Sequence, residues 1–181
     1  MNTISKVFLV LLLTLWTNQI LAQNLIISTC DGTLYKDLCK KTLQSDPESR
    51  AATSVEVLAK VALKHATSTA TQKHNQVKKL LKSSTKPIKV DLTDCNEVYE
   101  DALEQLDDSS TTLITKSYES ISTYLSVAMG DADTCDQSFE EVAPGKSPIS
   151  TQGTTLSQLC SIVLSILPNN WNELSELNLP Y

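Results

Sequence analysis

Four segments of this chain carry apolar residues at intervals of three and four, the spacing that lines one side of an α-helix. The first opens at Asp46, an N-cap candidate with Pro47 at the first helical position, and continues through Val55, Leu58, Ala59, Ala62, Ala66, Ala70, Val77, Leu80 and Leu81. It predicts one long amphipathic helix that ends before Lys86-Pro87. A second stripe runs through Leu92, Cys95, Tyr99, Ala102, Leu103, Leu106 and Leu113, while Glu97, Glu100, Asp101, Glu104, Asp107 and Asp108 fall on the opposite side. A third uses Ile121, Tyr124, Leu125, Ala128, Ala132, Cys135, Phe139 and Val142, and a fourth Leu156, Leu159, Cys160, Val163 and Leu167. With Pro144-Gly145-Lys146-Ser147-Pro148 as the connection before the last helix, the pattern predicts an all-α, up-and-down four-helix bundle over residues 46–168.

Upstream, Leu25-Ile26-Ile27, Leu34, Leu38 and Leu43 flank the short loop from Cys30 to Cys39, and the Asp31-Gly32-Thr33 turn suits a helical hairpin over 23–45. Such a segment is too short to bury its apolar side alone, so it either packs on the bundle as a cap or projects to grip a neighbouring molecule. At the start, Lys6 precedes an apolar run from Val7 to Leu13 that ends at Leu21-Ala22, which predicts a secretory signal peptide over 1–22. A membrane anchor fits less well, because the run is shorter than the roughly 20 residues a bilayer requires and no basic cluster follows it. The last stretch, 169–181, reads as a polar tail without the apolar run a lipid anchor needs. The expected product is exported, free of the membrane after cleavage, and housed where disulfides persist.

Composition agrees with helices: there are only four glycines and few aromatic residues. Removing Lys6 with the leader leaves 14 basic residues against 21 acidic ones, a balance that argues against nucleic acid or anionic polysaccharide as a ligand and favours a neutral or basic protein partner. No Asn-x-Ser/Thr sequon occurs.

Five cysteines sit in this frame: Cys30, Cys39, Cys95, Cys135 and Cys160. Two staples would use four and leave one buried thiol, but counting alone allows on the order of fifteen pairings. One pair tests the architecture. Helices rise equally per residue, so a disulfide across an antiparallel hairpin places the turn near the midpoint of its two positions. For Cys95 and Cys135 that midpoint is Thr115-Lys116-Ser117, a polar stretch between the second and third stripes.

Catalytic chemistry is hard to find. His65 and His74, nine residues apart, fall on opposite flanks of one helix, cannot share a metal or a proton relay, and read as surface residues. Neither Gly-x-Ser-x-Gly, a phosphate-binding glycine-rich loop nor His-Glu-x-x-His occurs. Cys160 lies on an apolar stripe without a local basic partner and reads as a small buried hydrophobe. The acids from Glu97 to Asp108 suit a solvated face or the docking of a basic partner better than acid–base catalysis. No enzymatic activity, metal or cofactor is expected. A carrier of small apolar ligands is a second reading, but the bulky, regular stripes leave no obvious cavity.

The order of these features resembles the plant invertase and pectin methylesterase inhibitor family. The resemblance rests on the leader, the early cysteine pair, Leu38-Cys39-Lys40-Lys41-Thr42-Leu43 running into Ser45-Asp46-Pro47, the hairpin with Tyr99 and Asp101-Ala102, and Thr134-Cys135-Asp136-Gln137-Ser138-Phe139-Glu140. It implies an N-terminal helical hairpin on a four-helix bundle, disulfides Cys30–Cys39 and Cys95–Cys135, a free Cys160 and no catalysis. Members cover the cleft of pectin methylesterase with one side of the bundle or insert into the pocket of cell-wall or vacuolar invertase. The invertase branch carries Pro-Lys-Phe just past the central turn, where this chain reads Tyr118-Glu119-Ser120. Asp133-Thr134-Cys135, Ser138-Phe139-Glu140 and Leu159-Cys160-Ser161-Ile162-Val163-Leu164 sustain the pectin methylesterase branch better. The same module also occurs as a pro-region ahead of pectin methylesterase domains. The expectation is a secreted, cell-wall inhibitor forming a 1:1 complex. Glu97, Glu100, Asp101, Glu104 and Asp107 would supply charge, and Ser117, Tyr118, Ser120 and Thr123 short-range contacts.

Overall fold

The structure, a computed structural model, describes residues 3–85, 88–142, 149 and 153–168. Among them lie seven helices: α1 (Thr3–Asp31), α2 (Lys36–Ser45), α3 (Pro47–Arg50), α4 (Val55–Ser83), α5 (Ile88–Thr115), α6 (Tyr118–Val142) and α7 (Gly153–Ile166). Helices α4 to α7 form the bundle: α4 packs on α5, α5 on α6, α6 on α7 and α7 back on α4, with no contact across either diagonal among the described residues. The expected stripes are its interior. Leu58, Ala62, Ala66 and Val77 of α4 meet Leu92, Tyr99 and Leu106 of α5, Ile121, Leu125 and Phe139 of α6, and Leu156 and Val163 of α7 in one cluster. The connection expected at Pro144 to Pro148 and the tail over 169–181 lie outside the described residues, as does Lys86-Pro87.

The hairpin is a cap. Gly32 donates to the Thr29 carbonyl and Thr33 to that of Cys30, so the chain reverses at the expected turn, and Ile26, Cys30, Cys39 and Leu43 join the bundle's own core. Helices α1 and α2 both touch α4 and α7. Cys30 and Cys39 are bonded, with Cα atoms 5.6 Å apart. Helix α1 runs without interruption across the expected cut after Ala22. No helix among the described residues is long and apolar enough to cross a membrane.

The single helix expected from Asp46 to Lys86 is two. Asp46 is a cap, accepting from the Glu48 amide at 2.8 Å with Pro47 behind it, but the helix it starts stops at Arg50. The chain then turns through Ala51-Ala52-Thr53, buries Ala52, and restarts from an extended Ser54. This break lets α3 tuck beneath the hairpin while α4 takes the bundle direction. A periodic pattern cannot register it, because Ala51 and Ala52 suit a helix as well as a turn. Asp46 also holds the Lys64 ammonium at 2.9 Å, which clamps the start of the cap to α4.

The α5–α6 turn falls where the cysteine midpoint places it. Helix α5 ends at Thr115, Lys116 takes a left-handed conformation with φ 56°, and α6 begins at Tyr118. A β-carbon makes that conformation unfavourable by about 1 kcal/mol. The Lys116 amide bonds the Leu113 carbonyl at 3.3 Å, and its ammonium approaches Glu56 of α4 at 3.9 Å. Cys95 and Cys135 are bonded across the far end of the same hairpin, with Cα atoms 4.8 Å apart.

His74 is not on the surface: it is 6% exposed, and its Nε2 lies 3.1 Å from Asn96 Oδ1. Burial lowers its pKa, Lys78 adds to this, and a neutral imidazole with its proton on Nε2 donates to Asn96 and ties α4 to α5. The helical-wheel position alone hid this, because His74 borders the stripe and Asn96 comes from another element. Lys73 is fully buried on α4 and donates from Nζ to the carbonyl of Ile149, which ties that residue to α4.

Replacing both Cys95 and Cys135 by alanine is expected to cost about 4 kcal/mol in urea unfolding, and replacing Cys30 and Cys39 about 2.7 kcal/mol, since loop entropy grows with the length closed. Asp46→Ala should cost about 1 kcal/mol through loss of the cap. The hydrogen bond from Lys64 depresses the Asp46 pKa below 3.8, outweighing its desolvation. The stability it contributes is therefore complete above pH 3.8 and disappears as pH falls through the lower folded value. Acid titration of unfolding should show a shallower fall in Asp46→Asn than in the wild type.

Candidate functional site

Charge is segregated by element. From Val57 to Val90 there are eight lysines and no carboxylate; from Asp91 to Glu141 there are fourteen carboxylates and one basic residue, Lys116. Helix α4, which carries most of these lysines, sits diagonally from α6 but packs directly on α5, so the two signs occupy neighbouring helices as well as opposite ones. Every sign needed to see this is in the sequence, but a whole-chain net charge averages it away.

On α5, Glu97, Glu100, Asp101, Glu104 and Asp107 are all exposed and share one side over about 15 Å of helix. Asp108 is half-buried. None of these acids has an ion-pair partner among the described residues. Helix α6 extends the negative surface. Asp131 is half-buried, its Oδ2 has no hydrogen-bond partner among the described residues, and burial first and the Asp101 charge second raise its pKa. Asp133 accepts from Ser157 at 2.9 Å, which links α6 to α7.

The four expected contact residues near the turn divide. Ser117 and Thr123 are exposed, whereas Ser120 and Tyr118 are half-buried and the Tyr118 ring packs against the core. Ser117 and Thr123 therefore stand at one end of the acidic face, and Glu97 toward the other.

Beneath this face the interior is inert. Tyr99 is fully buried, its hydroxyl lacks a hydrogen-bond partner among the described residues, and burial together with Asp136 and Asp133 pushes its pKa up. Cys160 is buried without a disulfide partner, and burial alone pushes its thiol up to about 12. A thiol in that state does not supply the thiolate that nucleophilic chemistry needs. Among the described residues no group of three or more His, Cys, Asp or Glu could hold a metal ion.

One concavity departs from the sequence expectation. A groove of about 420 Å³ opens between the start of α4 and the end of α5, with Val57, Leu63, Leu113 and Ile114 on its apolar walls and Lys60 and Lys64 at its rim. It is a surface groove created by the splay of two helices at the turn end, not a cavity inside the stripes.

The described residues thus form a helical bundle stapled by two disulfides, with an acidic face on α5 that has no ion-pair partner among them. The model for the family described as plant invertase/pectin methylesterase inhibitor matches residues 24–166, and the chain belongs to that family, one of proteinaceous inhibitors rather than enzymes. It is 32% identical over 147 residues to a pectinesterase inhibitor of Actinidia deliciosa, covering 80% of this chain and 79% of that one. A Platanus orientalis protein provisionally named an invertase inhibitor is 29% identical, covering 72% and 76%. Among solved structures, a mutant form of a pectin methylesterase inhibitor from Arabidopsis superposes with a TM-score of 0.67 at 26% identity, covering 77% of this chain and 94% of that one.

The Cys160 thiol should resist an aromatic disulfide reagent in the folded, oxidised protein and react stoichiometrically once urea unfolds it. Fast labelling under native conditions would contradict its burial.

Proposed function

We propose that this chain is a secreted inhibitor of pectin methylesterase that covers the enzyme's substrate cleft with the exposed side of the α5–α6 hairpin, in a 1:1 complex outside the cell. The observation that carries this reading is the unpartnered acidic face on α5, held on a cross-linked hairpin. A face already rigid loses little conformational entropy on docking, so an interface of roughly 1,600 Å² supports tight binding without any bond being made. In this reading the leader is 1–22, the inhibitory unit spans 23–168 as hairpin 23–45 plus bundle 46–168, and 169–181 is a tail.

Glu97, Glu100, Asp101, Glu104 and Asp107 supply charge complementarity to a basic rim, and Ser117 and Thr123 supply hydrogen bonds at the turn end. Tyr118 and Ser120, half-buried in the free protein, contribute mainly by fixing the turn. Invertase inhibition is the second reading, supported by the Platanus relative. It is weakened where Tyr118-Glu119-Ser120 replaces the Pro-Lys-Phe expected of that branch, with the Tyr118 ring packed on the core rather than presented.

Adding the purified, oxidised protein to a pectin methylesterase and to an acid invertase side by side tests the target directly: the first activity should fall and the second should not. Reversing Glu100, Asp101 and Glu104 to lysine should weaken inhibition about tenfold or more at low salt, and less at high salt where these charges are screened. Equal potency of wild type and variant at both salts would exclude this face.

A further inference from the structure

The outward side of α4 carries a feature that the proposed docking through α5 and α6 does not use. The outward stripe of α4 is furnished only with lysines and neutral polar residues. Lys64, Lys78 and Lys82 fall within 40° of one another around the helix and span about 27 Å along it, with Lys79 on the same flank. Ser68, Thr71, Gln72 and Asn75 are exposed between them. Lys64 is engaged by Asp46, but Lys78, Lys79 and Lys82 are exposed without an ion-pair partner among the described residues, as is Lys89 at the start of α5. Asp91 and Asp94 are the nearest acids along the chain, and neither pairs with these lysines.

We propose that this stripe is a binding site for a linear polyuronate, an acidic polysaccharide whose carboxylates meet Lys78, Lys79 and Lys82 and whose hydroxyls meet Thr71, Gln72 and Asn75. The inference rests on the proposed function in one respect: hydrolysis of pectin methyl esters leaves free carboxylates, so the target enzyme's product is a polymer of this chemistry. It replaces the expectation, drawn from net charge, that anionic polysaccharide is excluded. At the length scale of one helix face the Debye screening of about 10 Å in 0.1 M salt makes local sign, not whole-molecule charge, decide attraction.

The interleaved residues favour carbohydrate over other polyanions. No aromatic side chain stands on the stripe to stack a nucleic-acid base. On α4 itself no large apolar residue is exposed to enter a lipid surface; the exposed Ile88 and Val90 flank Lys89 beyond the stripe. A second copy could present its acidic α5–α6 face instead, and such a contact between two unlike surfaces would show as self-association at low salt.

The test measures binding of the oxidised protein to polygalacturonate and to highly methyl-esterified pectin, at low and high salt. It compares wild type with Lys78→Glu/Lys79→Glu/Lys82→Glu and with the corresponding triple arginine variant. Polygalacturonate should bind at low salt and the esterified polymer much less; the glutamate variant should lose about tenfold or more in affinity, and the arginine variant should retain it. Both variants should inhibit pectin methylesterase as wild type does. Equal binding by all three proteins, no binding by wild type, binding only to anionic vesicles, or a low-salt self-association that accounts for the difference would each overturn the inference. Loss of wild-type inhibition with polyuronate binding intact would count against the proposed function and leave the stripe standing.

Discussion

The bond between Cys95 and Cys135 sets the register of α5 against α6, and the acidic surface depends on that register. Both cysteines lie on apolar stripes, so the link sits inside the core, where it fixes the rotation of each helix about its own axis as well as their relative height. With rotation fixed, the buried ladder of Leu92, Tyr99, Ala102 and Leu106 turns Glu97, Glu100, Asp101 and Glu104 outward as a block. A slip of one residue would rotate the carboxylates by about 100° toward a neighbouring helix, where burying an unpaired charge is prohibitive. The hydrophobic stripe and the charged face are thus two expressions of one constraint.

The second link works at the other end. Cys30–Cys39 closes the hairpin that covers the end of the bundle where α4 starts and α7 finishes, and Asp46 then joins that cap to α4 through Lys64. Cross-links at opposite ends leave the middle of the molecule to side-chain packing alone, which the continuous core supplies. Such a body suits inhibition by occlusion: affinity comes from shape and charge held ready, and no group has to change protonation or position for the surface to be presented.

Much of this was legible in the residues. The four stripes, the turn at Thr115 to Ser117, the helical hairpin and the buried Cys160 all follow from spacing, because helical periodicity and equal rise per residue are local rules. What escaped depended on contacts between elements. Ala51-Ala52-Thr53 breaks the helix because α3 must fit under the cap, and no propensity demands it. His74 is interior because Asn96 reaches it from α5, and Tyr118 is half-buried because the turn folds its ring onto the core. The outward side of α4 was legible in principle, since lysines without acids from Val57 to Val90 are a sequence fact; summing charge over the whole chain concealed it.

The anchoring of Ile149 by Lys73 gives the molecule an internal clock. Every other lysine whose side chain is described is at least partly open to solvent, while the Lys73 amine is wholly enclosed and can be acylated only when its contact with Ile149 opens. Burial also pushes its pKa below the ordinary value, and once uncovered the amine regains its hydration shell, which opposes immediate return. The time course of acylation at this one nitrogen therefore reports how often the bundle breathes at that seam, a local opening that global unfolding measurements average out.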